Sequence, residues 1–199
     1  MIYDNLNQYP TGLRNVGLAA GAWLVLSHGW AMWKGEVVRE WLKKFPFNLG
    51  WGRVLMILSA IWAWFLFKGL DIGIIAIPAM DMGEYFNLRP TIMTLIPIAA
   101  VLVAMFCEEF LSVRALGCFT LLAAVVPLDA AFLRVPLSRL LLVTPTYVAV
   151  IAALFWIGMP YTLRDQITWA TANPKRWNAL CGAGLVYGVA VLACALTCW

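Results

Sequence analysis

The chain has 199 residues, 63% of them hydrophobic and only 12% charged, with a formal net charge of +4. Soluble domains carry about twice that share of charged residues, so too little polar surface exists here for a water-soluble globule. The basic residues are spread along the chain with only one short run, which excludes a nucleic-acid-binding stripe.

Six apolar blocks, at 16–33, 51–67, 91–107, 115–133, 137–158 and 178–199, each run 17 to 22 residues. About 20 apolar residues at 1.5 Å rise cross a hydrocarbon core. The expectation is an all-α, polytopic transmembrane helical bundle. It has about six spans, one short interfacial amphipathic helix after the first span, and a single integral membrane domain over 1–199.

The first fifteen residues are a polar-aromatic lead. Asp4 precedes the first cation, Arg14, and no A-x-A step follows the first apolar block. That block therefore reads as a retained helix rather than a cleaved signal. Gly17 and Gly21 form a G-x-x-x-G step, widened by Ala20 and Ala22. Such strips let helix backbones approach closely in lipid. His28, beside Ser27, is the only histidine. A bis-histidine haem site needs two, so the expectation is a residue near the lipid–water boundary or one bonded across helices.

Residues 35–45 carry the clearest local pattern. Val37, Val38, Trp41, Leu42 and Phe45 fall on one side; Glu36, Arg39, Glu40, Lys43 and Lys44 take the other. This is an amphipathic helix, too short and too charged to span, and its Trp and basic polar face suit the membrane surface. Pro46 ends it. The second apolar block meets Lys68, Gly69 and Asp71 before another apolar stretch, 72–80. Either the helix stops near Lys68, leaving 72–80 as a second interfacial hook, or it runs on to about Pro78 with a Lys–Asp pair inside the bilayer. The cost of a charge near the bilayer centre, at least ~2.5 kcal/mol, favours the stop.

After a polar loop at 81–90, the third block contains Pro97 and leads into Glu108, Glu109 and Arg114. Paired glutamates before an arginine invite comparison with intramembrane proteases of the CAAX-protease-like family, which carry E-E-x-x-x-R and later histidines. Here the run is E-E-F-L-S-V-R, and no histidine follows His28. The base and metal partners of that chemistry are missing, so the expectation is a charged turn with Arg114 paired to a glutamate. The fourth block carries Pro127 and Asp129. A carboxylate beside a proline-broken helix can hold a cation or proton, but Arg134 and Arg139 lie close by, and an interfacial ion pair is the favoured expectation. The fifth block contains Pro145. The loop 159–177 leaves room for a short surface helix between Pro160 and Pro174. The sixth block holds Gly184 and Gly188, a second G-x-x-x-G.

The five cysteines, 107, 118, 181, 194 and 198, contain no C-x-x-C and read as small apolar residues in helix packing. Phosphate-loop and serine-hydrolase motifs are missing too. No catalytic, cofactor-binding or metal residue is assigned. Nine of the 14 cations fall on one face of a six-span chain, in loops 34–53, 108–114 and 159–177, and five on the other. The basic face is expected to be cytoplasmic, in a bacterial inner membrane, with both termini outside.

The favoured function is a non-catalytic scaffold, assembly factor or accessory subunit, with the lipid bilayer and other membrane subunits as partners and no nucleic acid. The alternative is a small transporter or substrate-capture subunit; in size alone the chain is similar to six-helix vitamin-capture subunits of bacterial importers. A third is an enzyme acting on a lipid-linked substrate. It is disfavoured because Glu108, Glu109 and Arg114 face away from Asp129, Arg134 and Arg139 in this topology.

Overall fold

The computed structural model describes residues 12–71, 76–77, 82–106, 109–132 and 137–199. Eight α-helices dominate them: α1 Gly12–Trp33, α2 Gly35–Lys44, α3 Leu49–Lys68, α4 Arg89–Phe106, α5 Leu111–Ala131, α6 Leu140–Gly158, α7 Tyr161–Thr171 and α8 Pro174–Thr197. Short 3-10 turns at Phe45–Phe47, Gly83–Leu88 and Leu137–Arg139 lead into α3, α4 and α6. The described residues are helical as expected, apart from one two-residue pairing. Leu70–Asp71 (β1) pairs antiparallel with Ala76–Ile77 (β2). The rest of the expected hook at 72–80 lies outside the described residues.

Five helical segments are long and apolar enough to cross a membrane: Leu49–Lys68, Gly83–Phe106, Leu111–Ala131, Leu137–Gly158 and Pro174–Thr197. Many of their large apolar side chains face outward. Ile98, Val148, Ile151 and Val186 are each more than half exposed, a surface that lipid solvates and water does not. α1 has the length of a span, 22 residues. Its apolarity is diluted by Arg14, Asn15, His28 and the indoles of Trp23, Trp30 and Trp33, which is why it stands apart from the five.

The helix ends follow local chemistry. Asn48 caps α3, its Oδ1 accepting from the Trp51 N–H at 3.2 Å. α3 stops at Lys68 because Gly69 takes φ 76°, which a side chain would strain, and returns its N–H to Phe65 O at 2.9 Å. The Lys68–Asp71 pair is therefore not carried within a continuous helix. Asn173 caps α8 on the Lys175 N–H, with Pro174 opening the first turn. α7 fills the loop between Pro160 and Pro174. α1 starts at Gly12 rather than 16, since extending it buries Leu13 against Ala131 and Leu142. α5 starts at Leu111 rather than 115, since Leu111, Ser112 and Val113 are almost wholly buried. Arg114 is thus part of a helix and not of a turn.

The chain divides into two compact units: 1–43, 123–152 and 164–199 in the first, 44–122 and 153–163 in the second. The core of the first joins Leu13, Ala131 and Leu142 with Val16, Ala20, Val143 and Trp199. The core of the second joins Met56, Leu111 and Ala115 with Ala100, Val103 and Ala104. In the second unit, glycines mark the close approaches. A Cβ on Gly52 would lie 2.8 Å from the Ser112 backbone nitrogen, and one on Gly117 2.9 Å from Ala153 O.

Candidate functional site

The most extensive helix pairing in the first unit joins α1 to α8. As α1 advances through Gly17, Gly21, Leu24 and His28, its partners on α8 retreat through Ala195, Leu192, Gly188 and Gly184. The two helices are therefore antiparallel. The two G-x-x-x-G steps, on helices far apart in sequence, lie along one seam, each facing bulkier residues of the other helix. A Cβ on Gly21 would lie 2.7 Å from Leu192 Cγ, and one on Gly188 would lie 2.9 Å from Leu24 Cβ and 3.0 Å from the Val25 nitrogen. Gly17 is covered by the Trp199 ring and Gly184 by the His28 ring. Each helix thus offers a notch to the bulk of the other, the geometry that small residues allow in lipid.

Indoles close both ends of this seam. Trp177 Nε1 donates to Ala31 O at 3.1 Å at one end. Trp199 Nε1 donates to Ser138 Oγ at 2.8 Å at the other. His28 Nδ1 lies 2.9 Å from Leu24 O. A carbonyl can only accept, so this nitrogen carries a proton. Ser27 Oγ donates to the same carbonyl at 3.2 Å. Farther along α8, the Tyr187 hydroxyl donates to Leu141 O.

The remaining sequence candidates do not gather around this seam. Asp129 is exposed on the last turn of α5. That turn packs near Leu13 through Ala131, whereas His28 lies fifteen residues on along α1, roughly 20 Å away. Glu109 is exposed, and Glu108, Arg134 and Cys107 lie outside the described residues. Among the described residues no ion pair joins Glu109 to Arg114, and Arg114 Nε is buried without a hydrogen-bond partner. On α2, Trp41, Lys43 and Lys44 are exposed, and Arg39 Nε donates to Gly35 O at 3.1 Å. Cys118, Cys181, Cys194 and Cys198 carry free thiols. Among the described residues no three His, Cys, Asp or Glu side chains come together as metal ligands.

Comparison with protein-family models, curated proteins and solved structures finds no match for this chain.

In the second unit, α3 and α4 border a groove of about 270 Å³ lined by Ala60, Ile61, Trp64, Phe65, Ile96 and Pro97. Its lining holds none of the charged candidates. Polar side chains in this unit instead satisfy backbone. Ser112 Oγ donates to Phe45 O at 2.8 Å and Pro46 O at 3.0 Å. Ser59 Oγ donates to Leu55 O at 2.8 Å, and Trp62 Nε1 to Leu122 O at 3.3 Å. Sequence reasoning missed these clasps. The lone glycines 52 and 117 were the signal that backbones approach closely there.

Proposed function

We propose that this chain is a multi-pass membrane protein that serves as a non-catalytic scaffold, assembly factor or accessory subunit. The observation that carries this reading is the destination of its polar side chains at depth. Ser59, Ser112, Trp177, Tyr187 and His28 all reach backbone carbonyls of the chain itself. Chemistry on a substrate needs polar groups converging on a shared space; Ser112, Trp177 and Tyr187 instead tie one element to another, and Ser59 and His28 bond within their own helices.

Six spans remain the proposed count. α1 follows α8 from Gly17 to Ala31, about 21 Å at helical rise. A helix zipped to a span over that depth crosses with it. Six crossings put loops 34–53, 108–114 and 159–177 on one face, which the positive-inside rule assigns to the cytoplasm, and the setting we favour is a bacterial inner membrane.

The test is extraction from native membranes in mild detergent, with mass measured by light scattering. The expected result is a complex of fixed stoichiometry with other membrane chains. A lone 22.1 kDa chain that drives solute uptake in proteoliposomes would replace this reading with the transport alternative.

A further inference from the structure

We infer that one end of the α1–α8 pair, together with α2, is a docking surface for anionic phospholipid headgroups. The inference rests on the membrane reading above and adds the chemistry of the leaflet this end meets. Trp177 fastens the end of α1 to the start of α8 through Ala31 O, and its indole faces Gly35 at the start of α2. Arg176 fastens the end of α7 to the same place, donating to Trp169 O at 3.0 Å with its guanidinium 4.5 Å over the Trp169 ring. Lys34 stacks 4.9 Å from the Trp30 ring centroid and 5.9 Å from that of Trp33.

These fastenings join the end of α1, the start of α2, the end of α7 and the start of α8, and the first unit's cations on and beside those elements are Lys34, Arg39, Lys43, Arg164, Lys175 and Arg176, against Glu36, Glu40 and Asp165. Asp165 is already held by Arg164 at 2.9 Å. At the opposite end, the described residues supply Arg14, Arg139 and Asp129. On the apolar side of α2, Val37 is 65% and Trp41 45% exposed, while Val38 and Leu42 are half-buried. Exposed apolar side chains beside a surplus of cations fit an acidic headgroup layer: the first enter the acyl boundary while the second meet phosphates. Cation–indole stacks suit the same depth, where an indole is half solvated.

Hydrogen exchange of the α2 amides, in the full chain, tests this. The chain is placed in nanodiscs of phosphatidylcholine alone or of an equal mixture with phosphatidylglycerol. Exchange across α2 is expected to slow by about fivefold or more in the acidic discs, since each cation near an anionic surface contributes a factor of about that size. The slowing is expected to vanish in the combined Lys34→Gln, Lys43→Gln, Lys175→Gln variant and to persist in the matching Lys→Arg variant. Equal exchange in both discs overturns the inference, as does a slowing that survives the glutamine variant. If the glutamine variant loses protection along α1, high salt on the native chain decides: loss of the slowing supports the surface and its persistence overturns it. Protection of α1 and α8 in both discs, with no lipid effect on α2, leaves membrane insertion standing and removes only this surface. Rapid exchange of α1 and α8 in both discs removes the two together.

Discussion

Gly182 and Gly188 sit on the same helix and meet different surroundings. A Cβ on Gly188 runs into Leu24 and the α1 backbone, while one on Gly182 meets nothing within 4 Å. Gly188→Leu is therefore expected to destabilise the protein by about 1–3 kcal/mol, the range for overpacking a tight contact. Gly182→Ala should be neutral or gain up to about 1 kcal/mol of helix propensity. Unfolding in mixed detergent micelles, followed by circular dichroism, separates the two. Ser112 is 1% exposed and its hydroxyl is shared between two carbonyls. Ser112→Ala leaves both without that donor and should cost about 1–2 kcal/mol in the same assay. The glycines of α1 and α8 were legible in the sequence as a packing strip because their spacing is that of one helix face. Which helix each strip meets was not, since spacing within one helix says nothing about its partner. Ser112 was invisible for a similar reason: its acceptors, Phe45 and Pro46, lie 67 and 66 residues away.

At the scale of elements, the sequence located the long helices through their apolar runs and α2 through its two-sided pattern. The ends were less legible. The run alone suggested a start at 115 for α5, whereas burial of Leu111 and Val113 extends the helix backward. At Lys68 the charge penalty and the glycine agreed, and the helix stops there. Glu109 and Arg114 stood out as a protease-like run and Asp129 as a carboxylate beside Pro127, and neither signal brings them together. For α2, Lys43→Glu with Lys44→Glu is expected to weaken or invert the local topology, because cations next to a span set its orientation. Mapping reagent access to a single introduced cysteine in each loop reads this directly. An unchanged map would contradict the assigned sidedness.

At the scale of the molecule, every functional statement depends on lipid being the solvent of these helices. Five apolar segments of spanning length and outward-facing Ile98, Val148 and Val186 argue for it. Buried Ser59 and Ser112 are satisfied by backbone carbonyls, as a bilayer demands, with Arg114 Nε the exception among the described residues. The most direct measurement is partition of the expressed chain after membranes are washed in alkaline carbonate and then in detergent. The chain should stay with the membrane through carbonate and leave only with detergent. A chain recovered folded and monodisperse in detergent-free buffer would contradict the account.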